Sequence, residues 1–353
     1  MTPTDEPRQL SGVTLAAWAI TILCVGLLWI VGYAGVYVCI SFLGLSLFGG
    51  AFLMGKGLYE IGSSYRMIAV INLIMGLGTW AAGGVFVLQV LSNEEGRMPV
   101  AGRTHYIGYR GGIPPRKIRL LNLNVLHGYP DFEKQRDRFS DTVKELKRHD
   151  ADIVVLQEAW ITSKHGNMPE RLGAELGVNH AYARANGSHY HIGFEEGSAI
   201  LSRFPIIEAE RILLRPRRPW WEHRIALIAK VNVPDLGHVT VVGVHLSNSD
   251  AADDQAGYLI EILRDRSPDI IAGDFNSLPN ARAMKAFVAG GFVEALPNNA
   301  SAEPWIDHVF LSPAFHKRWE IKEASWIITT QAVPGVRDAI SDHDGIVVEL
   351  RRR

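Results

Sequence analysis

Charge is missing from long stretches of the N-terminal quarter of this chain. Between Gln9 and Gly55 there is no Asp, Glu, Lys, Arg or His, and between Met67 and Asn93 there is again none; only Lys56, Glu60 and Arg66 separate the two blocks. Runs of that length cannot be the surface of a water-soluble domain, so a wholly soluble protein is excluded. Cysteine is scarce as well. Cys24 and Cys39 both lie in the first apolar block, so a disulfide scaffold and a Cys-ligated zinc site are excluded from the C-terminal part. There is no strong net charge: 36 Lys+Arg stand against 37 Asp+Glu, a formal −1, so no global field draws in nucleic acid. Also absent are an Ala-x-Ala cleavage site after a short apolar core, a pair of glycines four apart in the apolar blocks, an internal repeat and a low-complexity tract.

What is present divides the chain in two. About 20 apolar residues cross a bilayer as a helix, and the uncharged blocks provide for three: 13–31, 36–54 and 67–91, after a tail at 1–12. Gly32-Tyr33-Ala34-Gly35 is the expected turn between the first two. The helices are expected to stay in the mature protein. Arg8, Lys56 and Arg66, against an uncharged first loop, favour an inside N-terminus and an extracytoplasmic C-terminal domain after three crossings; Arg97, Arg103 and Arg110 count the other way. Residues 92–114 are rich in Gly and charge without apolar periodicity and read as a tether.

Residues 115–353 make one domain-sized segment. All thirteen histidines fall between His105 and His343. Apolar, β-branched runs predict strands at 118–123, 153–156, 199–201, 225–233, 239–244, 270–272, 308–311 and 346–350, with helices at 139–148 and 252–264. Strands that follow one another without helices, as over 225–244, favour a mixed α+β domain with packed sheets over an alternating parallel one.

Polar residues recur where these strands end: Asn124, Glu158, His245, Asp274 with Asn276, Asp307 with His308, and Asp342 with His343. Strand ends on a rigid sheet are where catalytic groups converge, because the scaffold fixes them and the loops leave them open. Carboxylates and amide oxygens without cysteine suit a hard divalent cation, Mg²⁺ or in its place Mn²⁺. Two histidines with Asp and Asn supply general acid/base groups and hydrogen bonds to a phosphoryl oxygen.

The ordered segments LNLNVLHG, DIVVLQE, GSAILSRFPI, VVGVHLSN, IIAGDFNSLP, IDHVFLSP and SDHDGIVVEL resemble the endonuclease/exonuclease/phosphatase superfamily, of deoxyribonuclease-I-like fold, over about 117–350. The layout of short N-terminal helices before such a domain is similar to the superfamily's membrane-bound phosphatases tied to teicoplanin-type resistance. The resemblance implies a four-layer α/β/β/α sandwich preceded by the three helices. It implies that Asn124 and Glu158 hold the metal with Asp342 close by, and that Asp274 orients or deprotonates the attacking water. Asn276 and His245 would bind phosphoryl oxygens. His343 would stabilise phosphoryl charge or assist proton transfer, with Asp307 fixing its tautomer.

Other residues have plainer readings. His308 reads as a satisfied structural histidine and Asp344 as a loop residue. The segment RPRRPWWEHR holds Arg215, Arg217, Arg218 and Arg224 around Trp220 and Trp221. It suits single-stranded bases and phosphates, a membrane interface, or a solvated strand connection; on a chain with apolar helices the interface reading leads, and Arg224, opening a strand, is free to point into the site. Arg224, Arg217, Arg218, Trp220 and Trp221 are thus the candidate substrate contacts. Glu195 and Glu196 would sit badly beside a polyanion, which counts against DNA. The expected function is a metal-dependent phosphohydrolase multi-pass in a bacterial plasma membrane, acting on a lipid-linked phosphate ester or pyrophosphate such as a polyprenyl pyrophosphate or a phospholipid headgroup. A membrane-anchored nuclease acting on DNA or RNA and a catalytically silent membrane scaffold are the alternatives. No protein partner is inferable.

Overall fold

The computed structural model describes residues 12–30, 36–61, 66–101, 115–128, 134–234, 236–299, 301, 305–332 and 339–353. In chain order the elements are α1 (Gly12–Ile30), α2 (Val36–Glu60), α3 (Arg66–Leu91), β1 (Gly96–Arg97), β2 (Val100–Ala101), β3 (Lys117–Asn124), α4 (Gln135–His149), β4 (Ile153–Thr162), β5 (Gly166–Asn167), α5 (Met168–Leu176), β6 (Asn179–Ser188), α6 (His189–Ile192) and β7 (Phe194–Ser202). They continue with β8 (Ile206–Leu213), β9 (Ile225–Val233), β10 (Gly237–His245), α7 (Ala251–Leu263), β11 (Ile270–Asp274), α8 (Arg282–Ala289), β12 (Val293–Glu294), β13 (Asp307–Leu311), α9 (Pro313–Arg318), β14 (Trp319–Ile327) and β15 (Gly345–Arg352). The chain forms two units, one of Met1–Ser92 with Gly187–Phe194, the other of Asn93–Asn186 with Glu195–Arg353.

In the first unit the usual placement of residues is inverted. The residues α3 buries are Ala69, Asn72, Gly76, Thr79, Gly83 and Phe86, spaced alternately three and four, so mostly small or polar groups form one stripe. Its large apolar residues Ile74, Leu77, Trp80 and Leu88 are exposed, as are Phe48 and Leu58 of α2. Gly76 is needed for close approach: a Cβ there would stand 2.6 Å from the Gly50 carbonyl oxygen of α2. Trp18 Nε1 of α1 donates to Asn72 Oδ1 (2.9 Å), Asn72 Nδ2 to Glu60 Oε2 (3.5 Å), and Lys56 pairs with Glu60 (2.7 Å). Helices that associate inside a bilayer pack this way, through small residues and shared polar groups. By length and hydropathy, two described segments are able to cross a membrane, Ser41–Glu60 and Arg66–Leu91; Val13–Val25 is a shorter apolar helical segment. Three spans are therefore met for two helices. The second helix runs to Glu60, beyond the expected 54, because the Lys56–Glu60 pair at i,i+4 carries it past the apolar run. The expected 32–35 turn lies outside the described residues.

The second unit has two sheets. One runs β1-β8-β9-β10-β11-β13-β12; the other runs β14-β15-β3-β4-β7-β6-β2, with β5 attached to β4. Leu120, Val155 and Ile200 of the second meet Leu227, Val241 and Ala272 of the first in a continuous apolar core. On the far side of the first sheet, Ala256, Leu259 and Leu263 of α7 and Met284 and Phe287 of α8 pack on Val242, Ile271 and Phe310. On the second sheet, Phe139 of α4 meets Trp160 of β4 edge-on at 6.3 Å. The result is an α+β sandwich of helices, sheet, sheet and helices.

Every predicted strand and both predicted soluble helices are present. Additional strands are β6, β8 and β14 among the long ones. The stretch read as a tether is in part sheet: β1 pairs with β8 and β2 with β6, and Asn93 Nδ2 donates to the Arg184 and Ala185 carbonyls at 2.8 and 3.0 Å. Residues 102–114 lie outside the described residues.

Two parallel pairs, β3 with β4 and β10 with β11, position the site. Their helical crossovers send both strands of each pair in one direction, so their C-terminal ends share one edge. Register does the rest: Asn124 lies opposite Gln157, His245 opposite Asp274, and Asp274 opposite Asp307.

Candidate active site

Asn124 is the hub of the cluster. Its Nδ2 donates to Glu158 Oε1 and to Asp274 Oδ2, each at 3.1 Å, bridging the two sheets. Its Oδ1 accepts from the Leu126 amide (3.1 Å), and its backbone carbonyl accepts from Ser341 Oγ (2.6 Å). Ser341 Oγ in turn accepts from the His343 amide (3.1 Å), which ties the His343 loop to the end of β3. Glu158 Oε2 accepts from the His127 amide (3.0 Å) and faces His127 Nε2 at 3.4 Å. Leu126, Glu158 and Asn276 all have positive φ, 51°, 56° and 47°. Such backbone is costly for residues with a Cβ and persists where the surroundings over-determine it, commonly at functional sites.

The second half of the site is a relay. Asp307 Oδ2 lies 2.7 Å from His343 Nδ1, and Asp307 Oδ1 accepts from Asn122 Nδ2 (3.1 Å), itself held by Gln157 Nε2 donating to its Oδ1 (3.0 Å). His343 Nε2 then faces Asp274 Oδ2 at 3.7 Å. Burial alone would lower the His343 pKa, but the hydrogen bond and charge of Asp307, with Asp274 and Asp342, raise it to about 10, which favours the imidazolium, with Nδ1 donating to Asp307. Asp274 is 1% exposed. Burial and the Asp307 charge push its carboxyl up to about 7, against the pull of His343, the Asn276 amide (2.8 Å from Oδ1) and Asn124.

His245 takes a different state. Arg224 NH1 donates to its Nε2 at 2.6 Å, so that nitrogen is the acceptor and the ring is neutral; burial and the charges of Arg224, His343 and His127 hold its pKa well below the usual value. The 3.3 Å approach of the same nitrogen to Asp274 Oδ2 is therefore not an ion pair. Donation from His245 Nε2 to a phosphoryl oxygen requires the Arg224 bond to be given up. Arg224 also pairs with Glu222 Oε1 (2.5 Å), and its Nε is buried without a partner. Asn276 Nδ2 donates to the Leu246 carbonyl (3.0 Å), leaving its second hydrogen for a ligand. Asp342 is exposed at the rim.

The structure brings Asn124, Glu158, His245, Asp274, Asn276, Asp307, His343 and Arg224 together. Arg217, Arg218, Trp220 and Trp221 are instead on an exposed loop, where Arg217 NH1 donates to His223 Nε2 (2.7 Å) and Arg218 meets Asp250 (3.4 Å). His308 is structural as expected: fully buried, its Nε2 donates to the Ser277 carbonyl (2.7 Å) and its Nδ1 meets Glu294 Oε1 (2.5 Å). Asp344 does more than occupy a loop. Buried at 2%, it accepts from the Thr329 and Thr330 amides at 3.0 and 3.2 Å, and so fixes the turn next to the strand that follows His343.

Several residues escaped the sequence reading. Asn122 stands two positions before Asn124, on the same face of β3, and that period of two was its available signal. His127 and Arg138 border Glu158 and the Leu126 carbonyl. Glu195 and Glu196 are not a surface acidic patch, being 6% and 5% exposed within β7. Burial and the Glu158 charge raise the Glu196 carboxyl to about 7, although Asn186 Nδ2 donates to it at 2.6 Å.

The donor set fits a hard cation. Asp274 and Asp307 are buried and Glu158 is partly buried, with Asp342 at the rim, while Arg224, Arg138 and His343 are the nearby cations; buried carboxylates in such number are what a divalent ion neutralises. Asp274, Asp307 and His343 also present ligand atoms within 4.8 Å of one another. Glu158 offers carboxylate oxygens beside Asn124, whose Nδ2 faces Glu158 and Asp274 while its Oδ1 accepts from the Leu126 amide, so Asn124 would have to turn its amide over to ligate the ion.

The comparisons agree with this geometry. Residues 121–343 match the endonuclease/exonuclease/phosphatase family model. No curated protein matches the chain. Among solved structures, an endonuclease/exonuclease/phosphatase from Beutenbergia cavernae is 20% identical over 67% of this chain and 72% of its own, with a TM-score of 0.53. The human Nocturnin catalytic domain with bound sulfate anion is 17% identical over 73% and 97%, TM-score 0.55. A mannosyl-6-phosphatase from Bacteroides thetaiotaomicron is 20% identical over 66% and 99%, TM-score 0.52. At these identities the likeness is one of fold, whereas the family match covers well over half of the chain. Members of the superfamily act as phosphatases and nucleases and use metal ions. The chain belongs to the endonuclease/exonuclease/phosphatase superfamily.

Proposed function

We propose that this protein is a membrane-anchored, divalent-metal-dependent phosphohydrolase that directs water onto a phosphate ester or pyrophosphate of a lipid-linked substrate, a polyprenyl pyrophosphate or a phospholipid headgroup. The supporting observation is a buried, oxygen-rich site with an Asp307–His343–Asp274 relay, on a chain whose helices turn large apolar side chains outward and small or polar ones inward. In this reading α1 to α3 all span a plasma membrane, with the catalytic unit extracytoplasmic. Anchoring confines enzyme and lipid to one surface and raises their effective concentration.

Asn124 and Glu158 would hold Mg²⁺, or Mn²⁺ in its place, with Asp342 at the rim. When bound, the cation neutralises phosphoryl charge and makes water more acidic. Asp274, with a carboxyl poised near 7, orients the attacking water and takes its proton as the new P–O bond forms. His343, fixed through Nδ1 by Asp307, presents Nε2–H to the phosphoryl group and supplies a proton as the bond to the leaving oxygen breaks. Asn276 and Arg224 offer further donors to phosphoryl oxygens, and His245 joins them once it exchanges its bond to Arg224. Such an in-line displacement depends on positioning and charge stabilisation more than on covalent help.

The test is phosphate and headgroup release by detergent-purified protein with Mg²⁺, offered a polyprenyl pyrophosphate, mixed phospholipids and linear DNA in parallel, with Asp274→Ala and His343→Ala as controls. Lipid turnover lost in the controls supports the reading. DNA cleavage without lipid turnover replaces it with a nuclease, and silence on all three with metal bound overturns it in favour of another substrate or a scaffold.

A further inference from the structure

Two tryptophans of the catalytic unit are placed unlike its core ones. Trp160, Trp319 and Trp326 are at most 8% exposed, whereas Trp220 and Trp221 are 66% and 54% exposed and lie edge to face at 5.6 Å. Their loop is not loose. The Leu214 amide donates to the Arg224 carbonyl (2.8 Å) and closes it at its base. The Pro216 and Arg218 carbonyls accept from Gln255 Nε2 (2.8 Å) and Ser247 Oγ (3.2 Å). Asn186 brackets His223, accepting from its amide (2.7 Å) and donating to its carbonyl (3.1 Å). A frame this well tied holds two indoles out in water, which is unfavourable unless something else covers them.

The surroundings indicate what covers them. Arg215, Arg217 and Arg218 are exposed beside the pair. Glu222 is engaged by Arg224. Burial and the neighbouring Arg217 push the His223 pKa down to about 4, so the ring adds no charge of its own. Indoles collared by arginine fit the headgroup layer of an anionic bilayer, where the rings take the interfacial position and the guanidinium groups meet phosphate.

We infer that the 214–224 loop is an interfacial anchor that inserts Trp220 and Trp221 at headgroup depth in an anionic bilayer and, through Glu222, Arg224 and His245, couples that contact to the catalytic site. The inference rests on the proposed membrane placement of the helices, and not on the identity of the substrate. The full-length chain would be reconstituted into vesicles of phosphatidylcholine and phosphatidylglycerol, with and without brominated acyl chains. Tryptophan quenching would be compared between wild type and Trp220→Ser/Trp221→Ser; tryptophans common to both cancel. The expected result is a quenchable component present in wild type, lost in the double variant at an unchanged thermal midpoint, partly retained in the single variants Trp220→Ser and Trp221→Ser, and weakened when phosphatidylglycerol is omitted. No turnover is needed, so failure of the phosphohydrolase reading leaves this result intact. Equal quenching in wild type and the double variant overturns the anchor alone. Failure of the chain to float with vesicles overturns both the anchor and the membrane placement. Protection of the pair by a single-stranded oligonucleotide, without bromolipid quenching, also overturns the anchor and makes the loop a strand grip.

Discussion

Asp307→Asn keeps the shape of the His343 partner and removes its charge. In the wild type, Asp307 supplies the two largest contributions that raise His343 to about 10. Without them, only Asp274 and Asp342 oppose the burial, and the imidazole returns to about its ordinary value of 6.5. At pH 8 the protonated fraction then falls from about 99% to about 3%, at pH 7 to about a quarter, and at pH 6 by less than about a third. If His343 acts as a charged donor, the variant loses a constant factor for altered positioning and a further factor that grows roughly 25-fold between pH 6 and pH 8. The assay is the pH profile of hydrolysis of bis(p-nitrophenyl) phosphate by both proteins at saturating Mg²⁺. A deficit that stays flat with pH refutes the charged-donor role. The linkage has a second readout: because the folded value lies above the unfolded one, the stability His343 contributes is full below about 6.5 and disappears as pH rises through about 10. The variant should therefore melt below wild type at pH 6 to 7, with the gap closing above pH 10.

Glu158→Gln removes a charged oxygen ligand and should weaken Mg²⁺ binding by more than the ~10–100-fold that a supporting residue costs; isothermal titration at neutral pH checks this, and unchanged affinity would move the metal to the Asp274, Asp307 and His343 cluster. Gly273→Ala should destabilise the catalytic unit by about 2–4 kcal/mol, because its Cβ would collide with the Val244 carbonyl between the strands that carry His245 and Asp274; thermal melts read the cost, and a neutral result shows that β10 and β11 have slack. His308→Phe strands Glu294 and the Ser277 carbonyl without their donor and should cost about 2–5 kcal/mol of stability while leaving turnover per folded molecule near wild type. Loss of turnover in a fully folded His308→Phe protein would make this histidine catalytic.

How much of this was legible depends on which physical signal each feature carries. The catalytic set was readable because each member sits at the end of an apolar, β-branched run, and an end is visible even when its partners are not. What the sequence does not carry is register. Nothing in VTVVGVH or DIIAGD says that His245 lies opposite Asp274, and it is that pairing, with Asp274 opposite Asp307, that turns separate strand ends into one site. Strand β6 was missed for a simpler reason. Its buried apolar positions are Ala181, Ala183 and Ala185, which alternate correctly but have low β propensity and little apolar bulk. The burial of Glu195 and Glu196 was not legible either, since in a strand buried on both faces a carboxylate is kept by its partners. The protonation states lay further still from the sequence, since two histidines of one site go opposite ways. His343 is held charged by a carboxylate at 2.7 Å and His245 neutral by a guanidinium at 2.6 Å. Helix α3 points the other way: its stripe of Ala69, Asn72, Gly76, Thr79 and Gly83 could have been found by spacing alone. Hydropathy shows only that a helix is apolar, but a small-residue stripe shows which face meets other helices, and so which face is left for lipid.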